Sequence, residues 1–242
     1  RKLITVADEI SGQAFSPQGK EVKQMLDEAE SKIFAIAEQG ARGAQGWVAV
    51  QPLLTQVVER IDELYSRENQ SEITGVPTGF DKLDDLTSGL QNSGLIIIAG
   101  RPSMGKTAFA LNIAQHAALD AQMTVAVFSL EMSKEQLAFR LLASEARVDS
   151  QRLRKGFLGE TDWPKLTAAA GRLSDAKLYI DDTAAISVLE MKAKSRRLKA
   201  DKNLGLIVVD YIQLMRGTGG SRDSREQEIS EISRSLKAEV PQ

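Results

Sequence analysis

Residues 100–107 read G-R-P-S-M-G-K-T, an instance of G-x4-G-K-[ST]. Gly100 and Gly105 permit backbone conformations that other residues resist. Successive N–H groups can therefore turn inward, and a helix that follows adds its positive N-terminal end. Such a loop cradles a triphosphate, with Lys106 reaching the β- and γ-phosphates and the Thr107 hydroxyl ligating Mg²⁺. The alternative is a structural turn that matches by chance. The surroundings count against it, because an apolar run precedes the motif and a helical pattern follows.

Two carboxylates could complete the chemistry. Asp210 closes LIVVD (206–210), four apolar residues ending in an acid. That placement suits a residue holding the water shell of Mg²⁺ from a neighbouring strand; an N-cap or turn aspartate is the other reading. Glu131 follows VAVFSL (125–130), where it could polarise an attacking water and accept its proton. It could also be a helix-start acid, since Ser133 and Gln136 fit a capping box just downstream.

The elements that must position these residues alternate. Apolar runs at 95–99, 125–130, 178–181 and 206–210 read as buried strands. Helical patterns lie around 107–119, 134–146, 164–173 and 187–200, so the sequence predicts an α/β fold with a mostly parallel sheet. Upstream, Val22, Met25, Leu26, Ala29, Ile33, Ile36 and Ala37 recur at helical spacing after a Ser16-Pro17 start. Together with LITVADEI (3–10) they predict a helical hairpin. QGARGAQG (39–46) is a glycine-rich linker. Leu53, Leu54, Val57, Val58, Ile61, Leu64 and Tyr65 then form one apolar face of a helix. That face must be buried on its own domain or on a neighbouring subunit, and both readings stay open.

Composition narrows the classes. The chain has 242 residues, 42% of them hydrophobic, enough for one sizeable core and an appendage. It has no cysteine, which excludes disulfides and thiolate metal sites, and one histidine, His116. A net charge of −2 places any nucleic-acid contact in a local patch or an assembled ring. No apolar run approaches the ~20 residues that span a bilayer. A soluble, cytoplasmic protein is expected, and the absence of an initiator Met suggests a fragment.

GVPTGFDKLDDLTSGLQ (75–91), GRPSMGKTAFALNIA (100–114), FSLEMS (128–133), YIDDT (179–183), VVDYIQLM (208–215) and REQEISEISRSLKA (225–238) together resemble bacterial replicative DNA helicases of the DnaB type. The resemblance implies a RecA-like P-loop NTPase core preceded by a helical hairpin and a linker helix. It divides the chain into 1–45, the closing hairpin of an N-terminal domain; 46–72, a linker with the amphipathic helix; and 73–242, the ATPase domain. It implies ATP and Mg²⁺ as cofactors, a homohexameric ring, and 5′-to-3′ translocation on single-stranded DNA at a replication fork. Primase and a helicase loader are the implied partners, in the cytoplasm at the replisome. Ser103, Gly105, Lys106, Thr107 and Ala108 become phosphate-loop contacts, Lys106 and Glu131 catalytic residues, and Asp210 the acid that meets Mg²⁺ through water. Arg140 matches a nucleotide-contacting arginine, although by itself it passes as a solvated helix charge. Two alternatives stay open: a RecA-like DNA repair or recombination ATPase, and a ring scaffold that only binds nucleotide.

Other positions read more plainly. Gln213 is a sensor or a loop hydrogen-bonding residue. The glycine-rich loop 217–226 brings Arg222 and Arg225 within reach of phosphates or of solvent alone, and KSRRLK (194–199) reads as a solvated basic face. His116, Trp47, Trp163, Met25, Met132 and Met215 are expected to serve structure, His116 with the option of exposure. The resemblance expects another core strand, a DNA-binding loop and an arginine finger after Ala238, and the 238–239 junction reads as two pieces brought together.

Overall fold

The computed structural model describes residues 2–16, 22, 25, 28–29, 32–33, 36, 49–66, 73–215, 230 and 232–233, with the backbone alone at 60 and 64. Stretch 39–46, Pro17, Leu26, Ala37, Trp47, the loop bearing Arg222 and Arg225, the 238–239 junction and the Leu64 side chain lie outside this set. The chain divides into two units, Arg1–Gln70 and Ser71–Gln242.

In the first unit, α1 spans Lys2–Phe15. Positions 22, 25, 28, 29, 32, 33 and 36 are helical too, and Lys32 Nζ meets Glu9 Oε2 at 2.9 Å. Helix α2 spans Val50–Tyr65. Pro52 falls in its first turn, where a backbone N–H has no intrahelical acceptor and its loss costs little. Leu53, Leu54, Val57, Val58 and Ile61 are each at least 44% exposed.

The second unit contains helices α3 (Asp81–Thr87), α4 (Lys106–Leu119), α5 (Lys134–Ala146), α6 (Ser150–Lys155), α7 (Asp162–Asp175) and α8 (Val188–Lys202). Its strands are β1 (Thr124–Ser129), β2 (Leu178–Asp181) and β3 (Leu204–Asp210), and a 3-10 turn covers Ile212–Leu214. The sheet is parallel, in the order β2-β1-β3. Every residue of the central strand β1 is buried, as a strand covered on both faces requires.

Side chains alternate across β1 with period two. Val125 and Val127 face Leu111, Ala114, Ala117 and Ala118 of α4, with Leu137 of α5 and Val76. Ala126 and Phe128 face Val188 and Met191 of α8, with Ile186, Leu204, Met215 and Ile232. A third cluster, Ala146, Val148, Leu166 and Ala169, joins α5 to α7. Polar side chains set the helix starts: Ser133 accepts from Gln136 N, Asp149 from Gln151 N and Arg152 N, and Ser187 from Glu190 N.

Two expectations change. Residues 95–99 are not a strand: no described strand is hydrogen-bonded to them, and Leu95, Ile96, Ile97 and Ile98 are exposed, Ile97 at 70%. A strand needs a neighbour to satisfy its backbone, and β1 is flanked by β2 and β3. Trp163, expected to pack, is 61% exposed in the first turn of α7. Its neighbours on the inward face, Leu166 and Ala169, fill that contact instead. The short helices α3 and α6 were not foreseen.

Candidate phosphate-loop site

The loop winds as its residue types require. Met104 N bonds Arg101 O at 3.3 Å, closing a turn. Ser103 takes φ 64° and Gly105 φ 88°. Gly105 is there for its backbone angle, since a Cβ at 105 would meet nothing within 4 Å. It is the N-cap of α4 and has no side chain to cap with, so no cap side chain accepts from the first N–H groups of the helix. This is the donor set an anion takes up. Lys106 folds back across the loop, its Nζ donating to Gly100 O at 2.9 Å. Thr107 is half-buried; Ser103 and Ala108 are exposed.

The sheet sets the height of this loop. Met123 N bonds Ala117 O at 2.9 Å, tying the end of α4 to the approach of β1. The helix packs against the sheet and runs back along it. At ~1.5 Å per residue it is ~21 Å long, and β1 at ~3.3 Å per residue is ~20 Å long. The start of α4, and with it the phosphate loop, thus points toward the carboxyl ends of the strands.

Both acids stand at that edge. Asp210 pairs in register with Ser129, and Leu130 N donates to Asp210 O at 2.7 Å. Glu131 follows directly. The buried Ser129 shapes its turn: Oγ donates to Met132 O at 2.7 Å and accepts from Met132 N at 3.2 Å. Glu131 itself is exposed and precedes the Ser133 cap, so it is not part of α5. Sequence reasoning missed Ser129; a serine ending an apolar run before Glu131 was the available signal.

Asp210 Oδ2 is buried with no hydrogen-bond partner among the described residues. A buried carboxylate oxygen left so is costly, and the water shell of a hard cation would satisfy it. Among the described residues no group of three acidic or histidine side chains could hold a metal by itself. A site of one hydroxyl and one carboxylate completed by phosphate oxygens and water suits Mg²⁺. The residues present fit that ion.

The remaining candidates are placed less tightly. Arg140 is exposed on α5. Gln213 is exposed in the 3-10 turn two residues beyond Tyr211, and it has a bonding partner of its own. In the 194–199 run, Lys194 is committed to structure: Nζ bonds Asp181 Oδ2 at 2.7 Å and Thr183 Oγ1 at 3.0 Å. Burial pushes the Asp181 carboxyl up, but the hydrogen bonds from Lys194 and Thr183 outweigh it and hold its pKa below the ordinary value.

The profile of the family described as DnaB-like helicase C terminal domain matches residues 75–240. The chain is 49% identical over 238 residues to the replicative DNA helicase DnaB of Geobacillus stearothermophilus, covering 98% of this chain and 51% of that protein. It is 47% identical over 238 residues to the replicative DNA helicase DnaC of Bacillus subtilis, with the same coverage of 98% and 51%. The chain thus spans about half the length of the curated relatives it matches. Among solved structures, a DnaB-like replicative helicase studied with its interactions with primase superposes with TM-score 0.76 at 33% identity, over 98% of this chain and 53% of that one. The ATPase domain of G40P superposes with TM-score 0.71 at 36% identity, over 80% of this chain and 67% of that one. These neighbours carry the RecA-like fold, the α/β class expected from the sequence.

Proposed function

Because the chain belongs to the DnaB-like helicase C-terminal domain family, we propose that it carries the ATPase motor of a replicative DNA helicase. The observation that carries the reading is the shared edge: Glu131 and Asp210 stand at neighbouring strand ends, joined by the bond from Leu130 N to Asp210 O, on the side of the sheet toward which the start of α4 points. That is the arrangement hydrolysis of a terminal phosphate needs.

In this reading the backbone from Ser103 to Ala108 grips the phosphates, with Gly105 supplying the turn. Lys106 leaves the Gly100 carbonyl for the β- and γ-phosphates, and Arg140 contacts the nucleotide from α5. Glu131 polarises the attacking water and takes its proton. Thr107 directly, and Asp210 through water, would hold Mg²⁺, which neutralises charge on the phosphate oxygens. An arginine from a neighbouring subunit would stabilise the transition state, a contribution of ~10³–10⁵ in rate.

The assembly is a homohexameric ring that moves 5′-to-3′ on single-stranded DNA and opens the duplex at a fork. The exposed apolar face of α2 supports this reading as a grip on the adjacent subunit. A primase is a partner by analogy with the DnaB-like structural neighbour, and a loader would place the ring. No helix among the described residues is long and apolar enough to cross a membrane; the place of action we propose is the cytoplasm, at the replisome.

The test is strand separation of a 5′-tailed fork by the intact protein with ATP and Mg²⁺. Unwinding that stops in ADP is expected. Single-strand-stimulated turnover without separation would favour a repair ATPase, and nucleotide binding without turnover a ring scaffold.

A further inference from the structure

The segment ahead of the phosphate loop is built around one buried acid. Asp84, 5% exposed, accepts from Thr78 N at 2.9 and 3.1 Å, from Thr78 Oγ1 at 2.8 Å and from Gly79 N at 3.2 Å. Thr78 Oγ1 in turn accepts from Phe80 N at 3.2 Å. A carboxylate is withdrawn from water among the described residues with N–H and O–H donors as its partners. Burying a carboxyl group is costly unless it is hydrogen-bonded, and bonds of this kind fix local geometry. What it fixes is Thr78-Gly79-Phe80.

That tripeptide lies along α4, the helix that begins with Lys106. Phe80 packs against Phe109 with ring centroids 4.8 Å apart and the planes tilted by 38°. Gly79 takes φ 79° and sits on the imidazole of His116, so close that a Cβ there would come 2.6 Å from His116 Cγ. Phe109 and His116 are seven residues apart and therefore on one face of the helix. The clamp touches α4 one turn from its phosphate-binding end and again near its far end. The far end is tied separately: His116 Nδ1 meets Asp120 Oδ2 at 2.8 Å, and Asp120 Oδ1 meets the Arg172 guanidinium of α7 at 3.2 Å.

We infer that Gly79, Phe80 and Asp84 are positioning residues for ATP hydrolysis: they set the height of α4 against the sheet, and so the distance of the phosphate loop from Glu131 and Asp210. This rests on the ATPase reading above. Two elements meet at the site, the strand edge carrying the acids and the helix carrying the loop. A helix that slides by an ångström breaks the alignment on which such catalysis depends.

The experiment measures ATP turnover in four full-length proteins with Mg²⁺ and single-stranded DNA: unsubstituted, Gly79→Ala, His116→Ala, and the double variant. Gly79→Ala is expected to lower kcat at least tenfold while its thermal transition stays above the assay temperature. His116→Ala alone serves as the reference and stays within threefold of the unsubstituted rate, because Phe80 against Phe109 and Arg172 on Asp120 still hold α4. The double variant is expected to return to within threefold of that reference. Backbone strain at position 79 is the same in the single and double variants, so recovery reports only the pressure on α4. A Gly79→Ala rate within twofold of the unsubstituted protein overturns the inference, as does a double variant as slow as Gly79→Ala. Should Gly79→Ala fail to fold, Phe80→Leu takes its place, with a tenfold loss expected and Phe80→Tyr restoring the rate; an unimpaired Phe80→Leu overturns the inference. An unsubstituted protein that turns over no ATP overturns the ATPase reading and this inference with it.

Discussion

A carboxylate at a strand end can work on a water only if no other task occupies it. Ser133 caps α5, and Glu135 is the acid of its first turn, which leaves Glu131 outside the helix. The Ser129 turn then holds it in the open, beside the strand end that carries Asp210. Glu131→Gln keeps the shape and removes the base. It is expected to slow hydrolysis by ~10²–10⁴-fold with nucleotide affinity unchanged in a fluorescence titration; hydrolysis at the parental rate would remove Glu131 from the mechanism. The identity and order of these residues were legible in the sequence, because a phosphate loop and strand-end acids are local patterns. The roles of Ser129 and Leu130 were not, since they arise from the register between β1 and β3, two strands far apart in the chain.

At the level of elements, α2 is the clearest case of a local pattern without a local explanation. Its apolar face was readable from spacing, and Val57 and Ile61 are 52% and 58% exposed. Contiguous apolar surface of this kind marks an interaction site. Val57→Asp with Ile61→Asp places two charges in that face and is expected to dissociate the proposed hexamer in light scattering, since an unpaired charge buried in an interface carries a heavy desolvation cost. A hexamer that survives both substitutions would refute α2 as the grip. The run at 95–99 teaches a related point. Its residues fit a buried strand, yet apolar character sets only a preference for burial, and a strand exists only where another strand pairs with it. Trp163 shows the reverse: Leu166 and Ala169 already fill the inward face of α7, and the larger side chain remains outside.

Over the whole molecule, a net charge of −2 provides no general field to attract DNA. On the proposed function, affinity must come from a few phosphate contacts gathered in the ring. Binding of single-stranded DNA should then weaken with salt, with a log–log slope of about −0.7 per phosphate contacted. Fluorescence anisotropy between about 50 and 200 mM salt measures it, and a flat response would rule out phosphate contacts as the source of affinity. The sequence by itself determined the G-x4-G-K-T motif, the acids that end two apolar runs, three of the four expected strands with the helices between them, and the apolar face of α2, because each is written in residues near one another in the chain. Only the tertiary structure decided which strand ends adjoin, that Asp210 retains a buried oxygen without a partner among the described residues, and that Asp84 holds Gly79 and Phe80 against α4. Those facts depend on strand register and on helix-to-sheet packing. Both are settled by cooperative burial among distant segments, which no local window of residues records.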